Sequence, residues 1–198
     1  LILKSISSLC YLLTAVFALV SNPDAYVYGS LIIFGGALGL VGDILLDLKG
    51  LYKKDESTYL MGGFIFFLVG HLFYSGAIIY QTRMKWWIVR LGGIVFSFAN
   101  NFMAKFMKIH FGAYRKIVFA YVIFLSITMI LSVVSFFTLG FHKNFLLLSI
   151  GTICFTASDA VLSSTFFARG KDGSFYLFIN HFLYYAGQYL IAASVLFM

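Results

Sequence analysis

Apolar residues occupy this chain in long runs interrupted by short polar gaps, and run length is the first physical constraint. A helix needs about 20 mainly apolar residues to cross about 30 Å of hydrocarbon. Seven runs reach that length, near residues 3–21, 26–48, 59–80, 86–104, 117–140, 145–168 and 175–197. The gaps between them, "SNPD", "KGLYKKDES", "QTRMK", "KFMKIHFGAYRK", "GFHKN" and "RGKDG", are too short to hold another folded unit. The pattern predicts an all-α protein, a polytopic transmembrane helix bundle of about seven spans, with residues 1–198 forming a single transmembrane helical domain.

Composition agrees, since 62% of residues are hydrophobic and 11% are charged, which excludes a soluble globular protein. A formal charge of +7 would suggest nucleic acid in a soluble chain, but here the basic residues fall mostly in the gaps and read as topology signals. No nucleic-acid partner is implied. Lys4, Lys49, Lys53, Lys54, Lys105, Lys108, Arg115, Lys116, Arg169 and Lys171 lie on one side, and Arg83, Lys85, Arg90 and Lys143 on the other. The richer side is expected to be cytoplasmic. That bias suits both a bacterial inner membrane and an endoplasmic reticulum membrane, and the bacterial one is the expectation. Tyr80, Trp86 and Trp87 cluster where an interfacial aromatic belt is expected. Cys10 and Cys154 have no metal spacing and no C-x-x-C pattern, so they are expected to be small buried packing residues. The chain begins at Leu1 and enters an apolar run at once, so a natural N-terminal segment is expected to precede it.

Polar residues inside the spans gather at one level. Asp43, Asp47, Asn100, Asn101 and Tyr121 fall near the cytoplasmic ends of their helices, and Asp159, His181, Tyr185, His71, Tyr74 and Gln188 somewhat deeper. Helical spacing also aligns them in stripes: Gly35, Gly39, Asp43 and Asp47; Thr152, Thr156, Asp159 and Ser163; His71 with Tyr74; His181 with Tyr184, Tyr185 and Gln188. The G-x-x-x-G part of the first stripe suits close helix packing. An ionised carboxylate facing lipid costs several kcal/mol, so Asp43 and Asp159 should point inward toward a partner or water. A structural hydrogen-bond pair would also satisfy them, and helix-bridging roles would account for the histidines and asparagines.

These motifs resemble a known family. "LVGDILLDL" (40–48), "GGFIFFLVGHLFYSGAI" (62–78), "KIVFAYVIFLSITMIL" (116–131), "GTICFTASDAVLSSTFF" (151–167) and "FLYYAGQYLIAAS" (182–194) are similar, in this order, to signature segments of the YhhN family of membrane proteins, which includes the lysoplasmalogenases. The resemblance implies about eight spans, one more at the N-terminus than this chain carries. It also implies hydrolysis of the vinyl ether bond of lysoplasmalogens to a fatty aldehyde and glycerophospho-ethanolamine or -choline, without a cofactor. The family's lysine-proline pair appears as Lys4-Ser5, keeping the lysine and not the proline.

Such a reaction needs an acid to protonate the alkenyl carbon and an anion to steady the oxocarbenium-like cation that water captures. Paired carboxyls do this work in glycosidases. Asp159 and Asp43 are the expected pair, the deeper Asp159 as acid and Asp43, nearer the aqueous boundary, as anion; the roles could be exchanged. His71, Tyr74, Tyr121, Tyr185 and Gln188 would orient them, and Lys4 would meet the phosphate of a lysophospholipid held within the membrane or snorkel to the interface. Three rivals differ in class. A ceramidase-like zinc amidase needs a His and Asp ligand set, for which only His71 and His181 lie within spans, and no metal is expected. A retinal protein needs a lysine in the last helix, and residues 175–198 have none. A lipid or proton-coupled transporter would use intramembrane Asp and His, but the chain shows no clear internal repeat, and its one proline, Pro23, lies in a loop.

Overall fold

A backbone in hydrocarbon must satisfy its own N–H and C=O groups, and helices do so within each segment. The computed structural model describes residues 2–83, 92–94, 97–98, 111–167 and 173–198, and among them there is no strand. Six long helices occupy this part of the chain: α1 (Ile2–Ser21), α2 (Tyr26–Leu51), α3 (Glu56–Thr82), α4 (Arg115–Thr138), α5 (Lys143–Phe167) and α6 (Ser174–Ala193). They coincide with six of the seven expected spans to within a few residues. The remaining span, 86–104, lies mostly outside the described residues, as do Asn100, Asn101, Trp86 and Trp87. Its described residues 92–94 and 97–98 are helical and lie against α4, where Ser97 Oγ approaches the Val122 carbonyl at 3.5 Å.

Five helical stretches, Ile2–Ser21, Pro23–Leu51, Lys53–Thr82, Gly112–Thr138 and Lys143–Phe167, are long and apolar enough to cross a membrane. The last helix, α6, carries Asn180, His181, Gln188 and several tyrosines, which lower its hydropathy. Large apolar side chains such as Phe17, Phe34, Phe178 and Phe182 remain exposed, as lipid-facing residues must. Cys10 departs from expectation. It is exposed rather than buried, and Cys154 is only partly buried, because both fall on outward faces of their helices.

Lipid tails are as apolar as leucine, so these helices associate through close packing and interhelical hydrogen bonds. Two glycine crossings supply the closest approaches. A Cβ on Gly35 would lie 3.0 Å from the Gly70 carbonyl oxygen, and one on Gly70 would lie 3.0 Å from that of Gly35. On the other wall, a Cβ on Gly151 would sit 2.9 Å from the Gly187 oxygen, and one on Gly187 would sit 2.7 Å from the Gly151 oxygen. The first crossing clamps α2 to α3 and the second clamps α5 to α6. Hydroxyl pairs bridge the rest, Ser75 with Thr128 at 2.8 Å between α3 and α4, and Ser132 with Thr152 at 2.6 Å between α4 and α5.

Candidate active site

A cavity of about 380 Å³ opens where the last turns of α2 and α5 meet the first turns of α6. Lys4 of α1 and Phe67 of α3 complete its walls. This is the end of the bundle that the lysine distribution assigns to the cytoplasm. Asp43 and Asp47 face the cavity from α2, and Asp159 faces it from α5, so the expected acids share one chamber.

Asp43 is only 3% exposed, and a carboxylate so enclosed needs partners to offset its lost hydration. It has three. Ser8 Oγ and Tyr184 Oη each donate to Oδ2 at 2.7 Å, and Lys4 Nζ lies 3.2 Å from Oδ1. The same ammonium lies 3.2 Å from Asp47 Oδ1, so one lysine is shared by two carboxylates a helical turn apart. Behind this shell the polar chain continues inward. Tyr74 Oη donates to Gln188 Oε1 at 2.8 Å, and Gln188 Nε2 donates to Tyr184 Oη at 3.3 Å. Tyr185 Oη donates to the Lys4 carbonyl at 2.9 Å and lies 3.3 Å from Ser8 Oγ, which fixes the first turns of α1. The glycine stripe makes room for this network: a Cβ on Gly39 would come within 3.1 Å of Gln188 Nε2 and 3.2 Å of Tyr11 Oη.

The setting of Asp159 is different. Tyr121 Oη donates to its Oδ2, and no lysine is paired with it among the described residues. The residue is partly exposed. Phe67 stands between the two sites, its ring edge-on to Tyr184 at 6.2 Å and tilted against Tyr121 at 6.4 Å. One apolar ring thus separates the tyrosine that serves Asp43 from the tyrosine that serves Asp159.

Most of the residues singled out from the sequence meet here, by different routes. Tyr121 touches Asp159 directly, Tyr74 and Gln188 reach Asp43 through Tyr184, and Tyr185 reaches it through Ser8. His71 does not line the cavity. It is 1% exposed inside a ring of Phe155, Tyr74 and Tyr121, with centroids at 4.8, 5.7 and 5.8 Å, and neither ring nitrogen has a hydrogen-bond partner among the described residues. It meets the acids only through its neighbours: Tyr121 bonds Asp159, and Tyr74 and Phe155 lead to Tyr184 and so to Asp43. His181 lies on the cavity wall, with Nδ1 2.6 Å from the Leu177 carbonyl, which makes Nδ1 the donor. Lys4 is not at the lipid interface but locked between Asp43 and Asp47. Asp43, placed nearer the aqueous boundary by its position in the helix, is the more enclosed of the two acids because α1 and α6 close over it.

Ser8, Tyr184 and Lys49 were not among the expected site residues. Tyr184 stood in a recognised stripe; Ser8 shares a helix face with Lys4 and Tyr11, a spacing that marks an inward side. Among the described residues no three His, Cys, Asp or Glu side chains are grouped as a metal-ligand set.

The chemistry available is that of two carboxyls in unlike settings on one chamber. Asp43, with a cation and two hydroxyl donors, suits a fixed anion; Asp159, with one phenol donor and no paired cation among the described residues, suits a group that gives and takes a proton. No curated protein and no solved structure matches this chain. The model of the YhhN family matches residues 1–195, which takes in every helix that lines the cavity, and the chain belongs to the YhhN family.

Proposed function

We propose that this protein is an integral membrane hydrolase that cleaves the vinyl ether bond of a lysoplasmalogen, releasing a fatty aldehyde and glycerophospho-ethanolamine or -choline. The observation that carries the reading is the pair of inward-facing carboxyls on one cavity, of which Asp43 alone is ion-paired among the described residues. Asp159 gives its proton to the alkenyl carbon remote from the ether oxygen, leaving an oxocarbenium ion. Asp43 faces that cation as a carboxylate held by Lys4, Ser8 and Tyr184, and its fixed dipoles need no rearrangement as the charge develops. A cavity water adds to the cationic carbon and returns a proton to Asp159. The hemiacetal then collapses, the C–O bond to glycerol breaks, and the glycerol oxygen takes the hydroxyl proton. The position of the cavity fits an amphiphile, with the head near the aqueous end and the chain beside apolar walls.

The test is aldehyde release from a defined lysoplasmalogen by the purified protein, beside Asp159→Asn and beside a lysophospholipid whose chain is ester-linked. Aldehyde from the vinyl ether alone, lost in the variant, is the expected result. A folded wild-type protein that releases none overturns the reading.

A further inference from the structure

Among the described residues two lysines line the cavity, and the structure distinguishes their tasks. Lys4 is consumed by Asp43 and Asp47, each 3.2 Å from its ammonium. Moving it to a ligand would take the cation from Asp43, a carboxylate only 3% exposed. Lys49 is held less tightly, with Glu56 acting on its charge only from beyond ion-pair distance. It stands in the last turn of α2 on the cavity wall, has no ion-pair partner among the described residues, and its Nζ rests 3.3 Å above the centre of the Phe166 ring. A cation parked on an aromatic face at a half-exposed site is weakly held and exchanges readily for an anion.

Its place along the helix sets what it can reach. Six residues separate Asp43 from Lys49, about 9 Å of helical rise. That is the direction from the acids toward the mouth, and the lysine's flexible four-carbon stem covers part of it. A glycerol backbone lying across the acids therefore brings the group on its far carbon to Lys49. His181 lines the same cavity, with its Nδ1 committed to the Leu177 carbonyl.

We infer that Lys49 is the phosphate receptor of this cavity, binding the phosphodiester of a single-chain glycerophospholipid, and that Lys4 is not. This rests on the proposed substrate class, which it deepens by naming the residue that separates phospholipid from uncharged lipid. Lys49 is a binding and specificity residue and takes no part in proton transfer.

The experiment measures binding rather than turnover. Purified protein in nanodiscs is titrated with a saturated, non-hydrolysable 1-O-alkyl glycerophosphoethanolamine and with the 1-O-alkyl glycerol of the same chain length. Wild type, Lys49→Gln and Lys49→Arg are compared, each checked for an unchanged melting temperature. Wild type is expected to prefer the phosphate-bearing lipid by about tenfold, the scale of one charge-assisted hydrogen bond at a half-exposed site. Lys49→Gln should erase that preference without weakening the alkyl glycerol, and Lys49→Arg should keep it. The inference is overturned if wild type shows no preference, if Lys49→Gln retains it, or if the variant weakens both lipids alike. Free glycerophosphoethanolamine competing as well as the lipid would also overturn it, since the site would then take a soluble phosphodiester. Phosphate selectivity lost in Lys49→Gln, in a protein that releases no aldehyde from lysoplasmalogen, would leave the receptor standing and remove the hydrolase reading alone.

Discussion

Tyr184→Phe tests whether Asp43 is held as an anion, because the structure supplies its own control. Tyr184 and Tyr28 are both buried tyrosines of this bundle, and each hydroxyl makes a 2.7 Å hydrogen bond across a helix interface. Tyr184 donates to a carboxylate, whereas Tyr28 pairs with the neutral Ser194 hydroxyl. Neutral interhelical hydrogen bonds in membranes average about 0.6 kcal/mol. Bonds to charged groups are worth about 1.5–3 kcal/mol. Removing one oxygen should therefore cost Tyr28→Phe about 0.6 kcal/mol of stability with unchanged turnover. Tyr184→Phe should cost about 1.5–3 kcal/mol and, if Asp43 faces the developing cation, lower kcat/KM by about 10- to 150-fold. Ser8→Ala removes the second donor to the same Oδ2, so the two substitutions should combine non-additively. Unfolding in detergent and aldehyde release together read both quantities. Equal, small effects in Tyr184→Phe and Tyr28→Phe would refute the claim that Asp43 is charged.

Three further outcomes follow from other contacts. Gly187→Ala would place a methyl 2.7 Å from the Gly151 oxygen and 3.0 Å from the Phe155 nitrogen, both backbone atoms; it should lower stability by about 1–3 kcal/mol, read as a drop in melting temperature. Lys4→Met leaves Asp43 buried without its cation and should cost about 3–5 kcal/mol in detergent unfolding, and adding Asp43→Asn should recover part of that loss. His71→Phe replaces two ring nitrogens that have no partner among the described residues, so stability in detergent unfolding should be unchanged or raised by up to about 1–3 kcal/mol; a clear destabilisation would show that the imidazole has a partner.

Helix positions were legible in the sequence because span length is imposed by the bilayer rather than by neighbouring side chains. The shared level of the polar groups was legible for a similar reason: polar atoms in hydrocarbon must converge, so Asp43, Asp159, Tyr121 and Gln188 could be expected on one interior. Pairing was not. Nothing in the order of residues says that Lys4 turns inward to two aspartates 39 and 43 positions away rather than outward to the interface; that depends on how α1 lies across α2. Ser8 escaped notice because it is one of three serines, Ser5, Ser7 and Ser8, at the start of an apolar run, and nothing in the order of residues singles it out. The enclosure of Asp43 was also hidden, since it comes from the last helix folding back over the first two.

That return of α6 has a consequence for how the protein is made. Lys4 lies on α1 and Asp43 and Asp47 on α2, so a nascent α1–α2 hairpin carries the buried acid and its cation together. Tyr184, Tyr185 and Gln188, however, arrive only with the last helix. Until that helix is inserted, Asp43 lacks one of its two hydroxyl donors, and the first turn of α1 lacks the bond from Tyr185 to the Lys4 carbonyl. Insertion of α6 thus closes the chamber over an ion pair already formed between α1 and α2, and a chain stalled before α6 has that pair without its tyrosine shell.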